Sequence, residues 1–407
     1  MFLQLKLSSF SRLFTVCEDS RYVLRLFDND MLIFSMFYDD LDGFQAHIIK
    51  VIRRFKHLIP PDLELSDNGL TSWLKRRIIP KNRAFVHEIM LSMGLSLNDT
   101  KGIIDVCKGL SLNDSYWVVP LGFEGKFSQF NLYHNKFSEI LSLVAYTGNR
   151  RSHPAFTTSP EFTTNGMLRK AWRKEPSGIY LYKGGSEGAA NAGREPYSEF
   201  YASQIAQRMQ LHHVHYDLVK WKNILASKCK LFTDINTAYI PVGYIVRSGG
   251  LKACLDFFAS VSDNALDDIK SMLVFDALIY NEDRHFGNFG VLMDSRTCKF
   301  IGAAPVFDNG ISLFNYALHD DYYNLLDYSR TRLSYYGIPF ENICSQVLDE
   351  KQRRKLKRMI GFNFVRHPRY NLQDFQLKAI EQHLQLRVQQ LLSLPKKKKN
   401  HFLNSIH

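Results

Sequence analysis

The stretch from Leu266 to Gly310 restricts the possible folds of this chain more than any other part of the sequence. Leu266 to Tyr280 has apolar side chains around most of a helical circumference, which predicts a buried central helix. The polar loop Asn281-Glu-Asp-Arg-His-Phe-Gly-Asn288 follows, and two apolar runs separated by a polar turn then predict a β-hairpin. Asn288 and Asp308 are therefore expected side by side, at the two open ends of this hairpin.

Three oxygen-bearing side chains of this stretch have the spacing of a phosphoryl-transfer site. Asp283 would accept or orient the proton of an acceptor hydroxyl, while Asn288 and Asp308 would hold the Mg²⁺ ion that bridges the phosphates of ATP. We expect His285 to support this catalytic loop by hydrogen bonding. Taken singly, Asp283 could cap the helix end and Asp308 could form an Asx turn. Asp276, with apolar neighbours, would either anchor the same loop or face solvent.

Two strand-like runs, Leu168 to Arg173 and Gly178 to Lys183, predict an antiparallel pair. By the two-residue period of a strand, Lys183 ends an apolar face, from which it would reach a nucleotide phosphate. As an alternative, Lys183 is a strand-edge lysine that extends into water. Glu199, near the start of the next helix, heads an apolar stripe, where a carboxylate is costly without a cation. We therefore expect Lys183 and Glu199 to pair.

Further nucleotide contacts are predicted on both sides of these strands. Asn165-Gly166 is a tight-turn dipeptide whose backbone amides, together with Lys170, would cover the β- and γ-phosphates; an ordinary hairpin turn is the alternative. Residues 229–234 form a short strand that enters a polar loop, where the two lobes of a nucleotide-binding fold would join. Phe232 and Thr233 are the candidates for the edge of adenine.

At these residues the sequence resembles the HipA-like serine/threonine kinases of bacteria. Its Asp-Arg-His-x-x-Asn signature is also similar to that of the phosphoinositide kinases, whose fold the HipA group distantly shares. The resemblance covers roughly residues 160 to 395 and rests on four motifs: Asn281-x-Asp-Arg-His-x-x-Asn288, Ala304-Pro-x-x-Asp-Asn-Gly310, Tyr197-Ser-Glu199 and Leu181-Tyr-Lys183.

The resemblance implies an α+β, bilobal protein-kinase-like fold with a small β-rich N-lobe and a mainly helical C-lobe. It also implies that Asp283 is the catalytic base, that Asn288 and Asp308 are the magnesium ligands and that Lys183 binds phosphate. No helix-turn-helix or antitoxin-like segment is recognisable, so a toxin role is not part of this expectation.

The predicted organisation has four parts: an accessory region at residues 1–150, a nucleotide-binding N-lobe at 151–240, a catalytic C-lobe at 241–395 and a basic tail at 396–407. Within the accessory region, the sequence predicts a hairpin over Tyr22 to Phe37 and a helix over Gln45 to Leu58. A helical pattern follows from Leu70 to Leu110. The aromatic and polar segment from Asp320 to Tyr336 suits acceptor binding or activation.

Composition restricts the partners and the compartment. The formal charge of +12 and the pI near 9.3 favour an acidic partner: nucleotide phosphate, nucleic acid, an anionic membrane surface or an acidic protein. The six cysteines include no CxxC pair, so neither a zinc site nor a disulfide framework is indicated. Because the sequence has neither a signal peptide nor an apolar run of about 18 residues, we expect a soluble, cytoplasmic protein. Signal-independent export to a host cell would leave no mark of this kind.

The sequence therefore predicts an ATP- and Mg²⁺-dependent serine/threonine protein kinase, with another protein or the chain itself (autophosphorylation) as the alternative acceptors. Two alternatives remain open from the residues alone. One is a lipid or small-molecule kinase of the inositol type, which the Asp-Arg-His signature permits. The other is a catalytically weak regulator that binds nucleotide or nucleic acid.

Overall fold

The computed structural model describes residues 21–149, 159–189 and 191–395. The predicted basic tail at 396–407 lies outside the described residues. Among the helices of the described ranges, none is long and apolar enough to cross a membrane. The cysteines in these ranges are free: Cys107, Cys229, Cys254, Cys298 and Cys344.

The accessory region begins with an antiparallel sheet in the order β3-β2-β1-β4. Its strands are β1 (Arg21–Leu26), β2 (Asn29–Asp39), β3 (Gly43–Val51) and β4 (Tyr116–Pro120). β1 and β2 confirm the predicted hairpin. The predicted helix over Gln45 to Leu58 is wrong, since β3 and a 3₁₀ helix (Arg53–Leu58) occupy it. Phe44 and Ala46 are buried at a spacing of two and pair with β2, so strand pairing overrides the helical pattern.

Helices complete this region: α1 (Asp67–Lys75), α2 (Val86–Ser92), α3 (Thr100–Cys107), α4 (Phe127–Phe130) and α5 (Glu139–Thr147). The first three confirm the helical pattern predicted from Leu70 to Leu110. Side-chain oxygens of Ser66 and Asp99 accept from backbone amides at the starts of α1 and α3, over 3.0 and 2.8 Å. Such N-caps satisfy amides that a helix start leaves without partners.

The N-lobe is a second antiparallel sheet, in the order β5-β6-β8-β7. It consists of β5 (Lys170–Glu175), β6 (Gly178–Gly184), β7 (Tyr216–Trp221) and β8 (Ile224–Lys230), with α6 (Glu195–Arg208) between β6 and β7. One face of the sheet, including Tyr182, packs against Tyr146 of α5. Lys183 lies on the opposite face by alternation and reaches Glu199 of α6. This face therefore borders the cleft, by which we mean the space between the N-lobe sheet and the C-lobe.

The C-lobe contains a small sheet, in the order β11-β10-β9, and a group of helices. In chain order these elements are β9 (Thr237–Pro241), α7 (Val242–Ile245), α8 (Gly250–Val261), α9 (Asp263–Ile279), β10 (Gly290–Asp294), β11 (Phe300–Ala303), α10 (Leu325–Arg330), α11 (Phe340–Val347), α12 (Glu350–Lys357) and α13 (Asp374–Ser393). Ser271 to Ile279 of α9 are all buried. Because α9 packs against α8, α11, α12 and α13, it is the central helix that the sequence predicts.

A fully buried ion pair joins the accessory region to the N-lobe. The guanidinium of Arg83 donates to the carboxylate of Glu161, and both side chains are inaccessible to solvent. Arg83 also donates to the carbonyl of Lys170 over 3.0 Å, while the amide of Trp172 donates to Glu161 over 2.8 Å. Burial raises the pKa of the Glu161 carboxyl against the opposing charge of Arg83. Removal of either partner would therefore leave an uncompensated group in the interior.

We expect Arg83→Met to lower the free energy of unfolding by about 3 to 5 kcal/mol, because Glu161 would remain buried without its cation. Denaturation in urea measures this loss. Arg83→Met/Glu161→Gln should recover part of it, since glutamine keeps an acceptor for the Trp172 amide. As a control, Arg330→Met breaks an exposed pair with Asp327 and should cost less than about 1 kcal/mol. Equal losses in the single and double variants would contradict this interpretation.

Candidate active site

The end of α9 sets the conformation of the loop that carries Asp283. Tyr280 has a left-handed backbone (φ 52°), which turns the chain out of the helix. The side chain of Asn281 donates to the carboxylate of Asp276 over 3.1 Å, and its own oxygen accepts from the Asp283 amide over 3.1 Å. Asp276 is buried and anchors the loop. Of the two alternatives that the sequence left open, anchoring the loop or facing solvent, the first is correct. Asp283 thus follows a helix end that is fixed by buried polar contacts.

Arg284 holds this loop against the chain around Asp308, a role that the sequence reasoning missed. Its buried guanidinium forms an ion pair with Asp276 over 3.0 Å. It also donates to the carbonyls of Asn288 and Phe307 over 3.0 and 2.5 Å, and to the side chain of Asn309 over 2.5 Å. The one available signal was an arginine eight residues after an aspartate within an apolar helix. Its partners after Phe307 depend on tertiary structure, which no local pattern reveals.

The two predicted metal ligands are both constrained. Asn288 is buried, and its side-chain nitrogen donates to the carbonyl of Asp283 over 2.9 Å, so the orientation of its amide is set. Asp308 has a left-handed backbone (φ 54°), a conformation that costs an aspartate about 1 kcal/mol or more. Its amide donates to the hydroxyl of Tyr216 over 3.2 Å. Backbone strain of this kind persists where the surrounding structure enforces it.

Lys183 bridges two carboxylates in the cleft. Its ammonium donates to Glu199 over 2.7 Å and also to Asp308. The predicted Lys183–Glu199 pair is confirmed, and the contact with Asp308 adds a second carboxylate to it. Ser227 donates to the other oxygen of Glu199, which holds that buried carboxylate in place. Through these two contacts, Lys183 of β6 connects α6 with the segment after β11.

The charges of this cluster keep Asp308 ionised. Burial alone would raise the pKa of Asp308, but the nearby ammonium groups of Lys183 and Lys170 lower it to about 2. Burial raises the pKa of Glu199, with Lys183 acting in the opposite direction. An ionised carboxylate and an amide oxygen are ligands that suit Mg²⁺, so the chemistry of Asp308 and Asn288 fits the predicted ion. Within the described residues there is no group of three His, Cys, Asp or Glu side chains that could hold a metal.

Lys170 is a second lysine on the cleft face, directly opposite Lys183 in the β5–β6 pairing. Its buried ammonium donates to the carbonyl of Asn165 over 2.7 Å. Gly166 has φ 93°, a backbone conformation that other residues rarely adopt, which favours glycine at this turn. Burial and the charge of Lys183 lower the pKa of Lys170 to about 7. The structure thus places Asn165 and Gly166 over a cleft lysine, while their contact with phosphate stays a prediction.

Phe232 and Thr233 have different surroundings. The ring of Phe232 lies 5.4 Å from the rings of both Tyr239 and Phe307, and Phe307 directly precedes Asp308. The hydroxyl of Thr233 is buried and donates to the carbonyl of Leu112 over 2.5 Å. The Thr233 side chain is therefore hydrogen-bonded to the accessory region. Contacts of the Phe232 side chain and of the Thr233 backbone with adenine stay predictions. The aromatic cluster with Tyr239 and Phe307 was not foreseen.

His285 stabilises the loop, as expected. Its Nδ1 accepts from the amide of Gly287 over 3.0 Å, and the imidazole ring lies 5.5 Å from the ring of Tyr335. The hydroxyl of Tyr336 donates to the carbonyl of Arg284 over 2.9 Å. These contacts link the loop that carries Asp283 to the aromatic segment predicted to bind an acceptor.

Several solved structures are similar to this chain, and two of them are bacterial proteins. A chain of the HipA, HipB and operator DNA complex of the Shewanella oneidensis MR-1 toxin–antitoxin system aligns over 92% of this chain and 100% of its own length, with 12% identity and a TM-score of 0.50. The Helicobacter pylori proinflammatory kinase CtkA aligns over 57% of this chain and 91% of its own length, with 18% identity and a TM-score of 0.47. Neither a family profile nor a curated protein matches the chain. The first similarity shows a shared fold.

The depressed pKa of Lys170 predicts a pH-dependent stability. The folded state releases this proton near pH 7 and the unfolded state only near the ordinary lysine value, so the unfolded state binds more protons in between. We therefore expect the wild type to gain thermal stability relative to Lys170→Met as the pH rises from about 6 to about 9. Lys220→Met, at an exposed position of the same sheet, serves as the control. A difference in melting temperature that is independent of pH would refute this prediction.

Proposed function

We propose that this chain, which has the bilobal fold of the HipA-like kinases, is an ATP-dependent phosphotransferase acting on serine or threonine residues of a protein. One observation carries the proposal: the ammonium of Lys183 joins the buried Glu199 and the ionised, partly exposed Asp308 in one cluster. A lysine held by a helix glutamate, beside a metal-binding aspartate, is the arrangement by which kinases place ATP phosphates. Arg284 connects this cluster to the loop of Asp283 and Asn288, because it donates to the carbonyls of both Asn288 and Phe307, the residue before Asp308.

Each polar residue of the cleft has a role in this proposal. Lys183 and Lys170 bind the phosphates, and Glu199 positions Lys183. Asn288 and Asp308 would hold Mg²⁺, which neutralises charge on the phosphates when it is bound. Asp283 receives the proton of the acceptor hydroxyl as that oxygen bonds to the γ-phosphorus, while the bond to the bridging oxygen breaks and ADP leaves.

The surroundings of Asp283 suit a proton acceptor. Burial raises the pKa of its carboxyl, and the nearby charge of Asp308 acts in the same direction against His285. A more basic carboxylate accepts a hydroxyl proton more readily. The Asp283 amide and carbonyl are both engaged, by Asn281 and Asn288, so the backbone beneath this carboxylate is fixed.

The surface beside Asp283 favours a polypeptide acceptor over an inositol phosphate. Exposed apolar side chains flank the catalytic loop, with Tyr316 42%, Leu333 43% and Tyr335 54% accessible. Apolar surface next to a site is typical of contact with another protein. Arg332 is paired with Glu282 of the loop over 3.5 Å, and Arg284 is buried.

Carboxylates also discourage an anionic acceptor at this surface. Burial raises the pKa of the Tyr316 hydroxyl, and the charges of Glu195, Asp283 and Glu282 raise it further. A phosphorylated inositol ring would meet this negative field, while the arginine beside it, Arg332, is already paired with Glu282. A neutral or basic peptide bearing a serine or threonine would be tolerated.

We expect Asp308→Asn to reduce phosphoryl transfer by about 100-fold or more, because the neutral amide is a poorer metal ligand and offsets less of the Lys183 charge. Transfer of label from γ-labelled ATP to an acceptor protein measures the rate. Asp256→Asn, at an exposed aspartate of α8 in the same lobe, is the matched control and should retain the wild-type rate. Wild-type transfer by Asp308→Asn would overturn the assignment of the site.

The acceptor class is tested by offering several acceptors in parallel. With MgATP, we expect label to enter serine or threonine residues of added protein acceptors or of the chain itself, located by mass spectrometry. Vesicles containing phosphoinositides and free inositol should remain unlabelled, because the acceptor surface presents carboxylates to them. Labelled lipid with unlabelled protein would reverse the proposed acceptor while leaving the kinase assignment intact.

A further inference from the structure

The accessory region contacts the connection between the two lobes. This connection, residues 231–236, joins β8 to β9, and we call it the hinge segment. It faces the loop between α3 and β4, whose residues 110–115 we call the accessory loop. The contact matters because Phe232 and Thr233, the predicted adenine contacts, belong to the hinge segment.

Three hydrogen bonds join the accessory loop to the hinge segment and to the start of β9. They run from the Thr233 hydroxyl to the Leu112 carbonyl (2.5 Å), from the Tyr239 amide to the Asn113 carbonyl (2.7 Å) and from the Ser115 hydroxyl to the Ile235 carbonyl (2.8 Å). Two of them use backbone atoms of the hinge side, so the contact restrains the path of the chain as well as its side chains.

Apolar packing reinforces these bonds. Leu112 and Tyr133 of the accessory region share one cluster with Leu231 and Ile235 of the hinge segment and with Ile179 of β6. The hydroxyl of Tyr133 donates to the carbonyl of Leu112 over 3.0 Å. Tyr133 thus stabilises the accessory loop at the Leu112 carbonyl, which also accepts from the hydroxyl of Thr233.

The C-lobe holds the other end of the hinge segment. The carbonyl of Asn236 accepts from the amide of Ser295 over 2.8 Å, and its side chain accepts from Arg296 over 3.1 Å. Asp234 accepts from the amide of Thr237 over 2.9 Å. The hinge segment is therefore held between the accessory loop and the β10–β11 turn.

The accessory loop also reaches the turn over the phosphate lysines. The hydroxyl of Thr163, two residues before Asn165, donates to the carbonyl of Leu110 over 3.0 Å. A polar cavity between the two regions is lined by residues that include Asn113, Asn165 and Tyr239. One loop of the accessory region thus contacts both ends of the proposed nucleotide site.

Ordering a flexible segment on binding costs conformational entropy, and a segment that is already ordered spares the ligand this cost. We propose that the accessory region is a positioning part of the nucleotide site. The accessory loop holds the hinge segment and the phosphate turn in their binding arrangement, so that loosening this loop weakens nucleotide binding. This inference rests on the proposed function, since it presumes that the cleft binds ATP.

Two substitutions in the accessory region test the proposal. Ser115→Ala removes the bond to the Ile235 carbonyl, and Tyr133→Phe removes the support of Leu112. Each should weaken the binding of MgATP by about 3- to 10-fold, measured by titration calorimetry. Thr71→Val is the control, because it removes a buried hydrogen bond between Thr71 and the Ala46 amide, within the accessory region.

Hydrogen exchange on the wild type supplies a readout that needs no variant. Because coupling between two sites is reciprocal, MgATP should slow the exchange of amides in the accessory loop and of Tyr239. Exchange in β3, at the edge of the first sheet opposite β4, should change less.

The outcomes separate this inference from the proposed function. If both variants lose stability as Thr71→Val does but bind MgATP as the wild type does, the contact is only structural and the inference is overturned. If MgATP leaves exchange in the accessory loop unchanged while binding to the wild type, the inference is likewise overturned. A wild type that binds no MgATP overturns the proposed function itself.

Discussion

The candidate site depends on the ion pair and hydrogen bonds of one buried group, the guanidinium of Arg284. It is paired with Asp276 of the central helix, and from there it reaches the loop that carries Asp283 and the chain that precedes Asp308. A planar fork with five N–H donors can serve several acceptors at once, which a lysine cannot do. The central helix thereby fixes the relative positions of Asp283, Asn288 and Asp308, although twenty residues separate the last two.

The opposite wall of the cleft depends on paired charges. Lys183 lies between Glu199 and Asp308, so the N-lobe sheet, its helix and the C-lobe converge on one ammonium. Lys170 lies beside it, and burial together with the charge of Lys183 lowers its pKa, which costs stability when the lysine is charged. The accessory region closes the arrangement from the hinge side and, through Arg83 and Glu161, from the strand that carries Lys170. These contacts argue that residues 21–149 belong to the same functional unit as the cleft.

Much of the fold follows from local patterns. The central helix, the β10–β11 hairpin and the β5–β6 pair were predictable because each has a strong period and clear turn residues. The Lys183–Glu199 pair was predictable because a carboxylate on an apolar helix face needs a cation. The helix expected over Gln45 to Leu58 failed because pairing with β2, a distant contact, decided the conformation.

The contacts that complete the site were beyond local reasoning. Those of Tyr216 with the Asp308 amide and of Thr233 with Leu112 join residues about a hundred positions apart. Nothing in the neighbouring sequence marks either residue for its partner. The left-handed backbone of Asp308 is likewise imposed by its surroundings, since aspartate does not favour that conformation by itself.

A crystal structure with Mg²⁺ and a non-hydrolysable ATP analogue would test the central claim most directly. We predict the metal between Asn288 and Asp308, the phosphates against Lys183 and Lys170, and the adenine beside Phe232 and the hinge segment. A nucleotide bound outside this cleft, or a metal that contacts neither Asn288 nor Asp308, would contradict the claim.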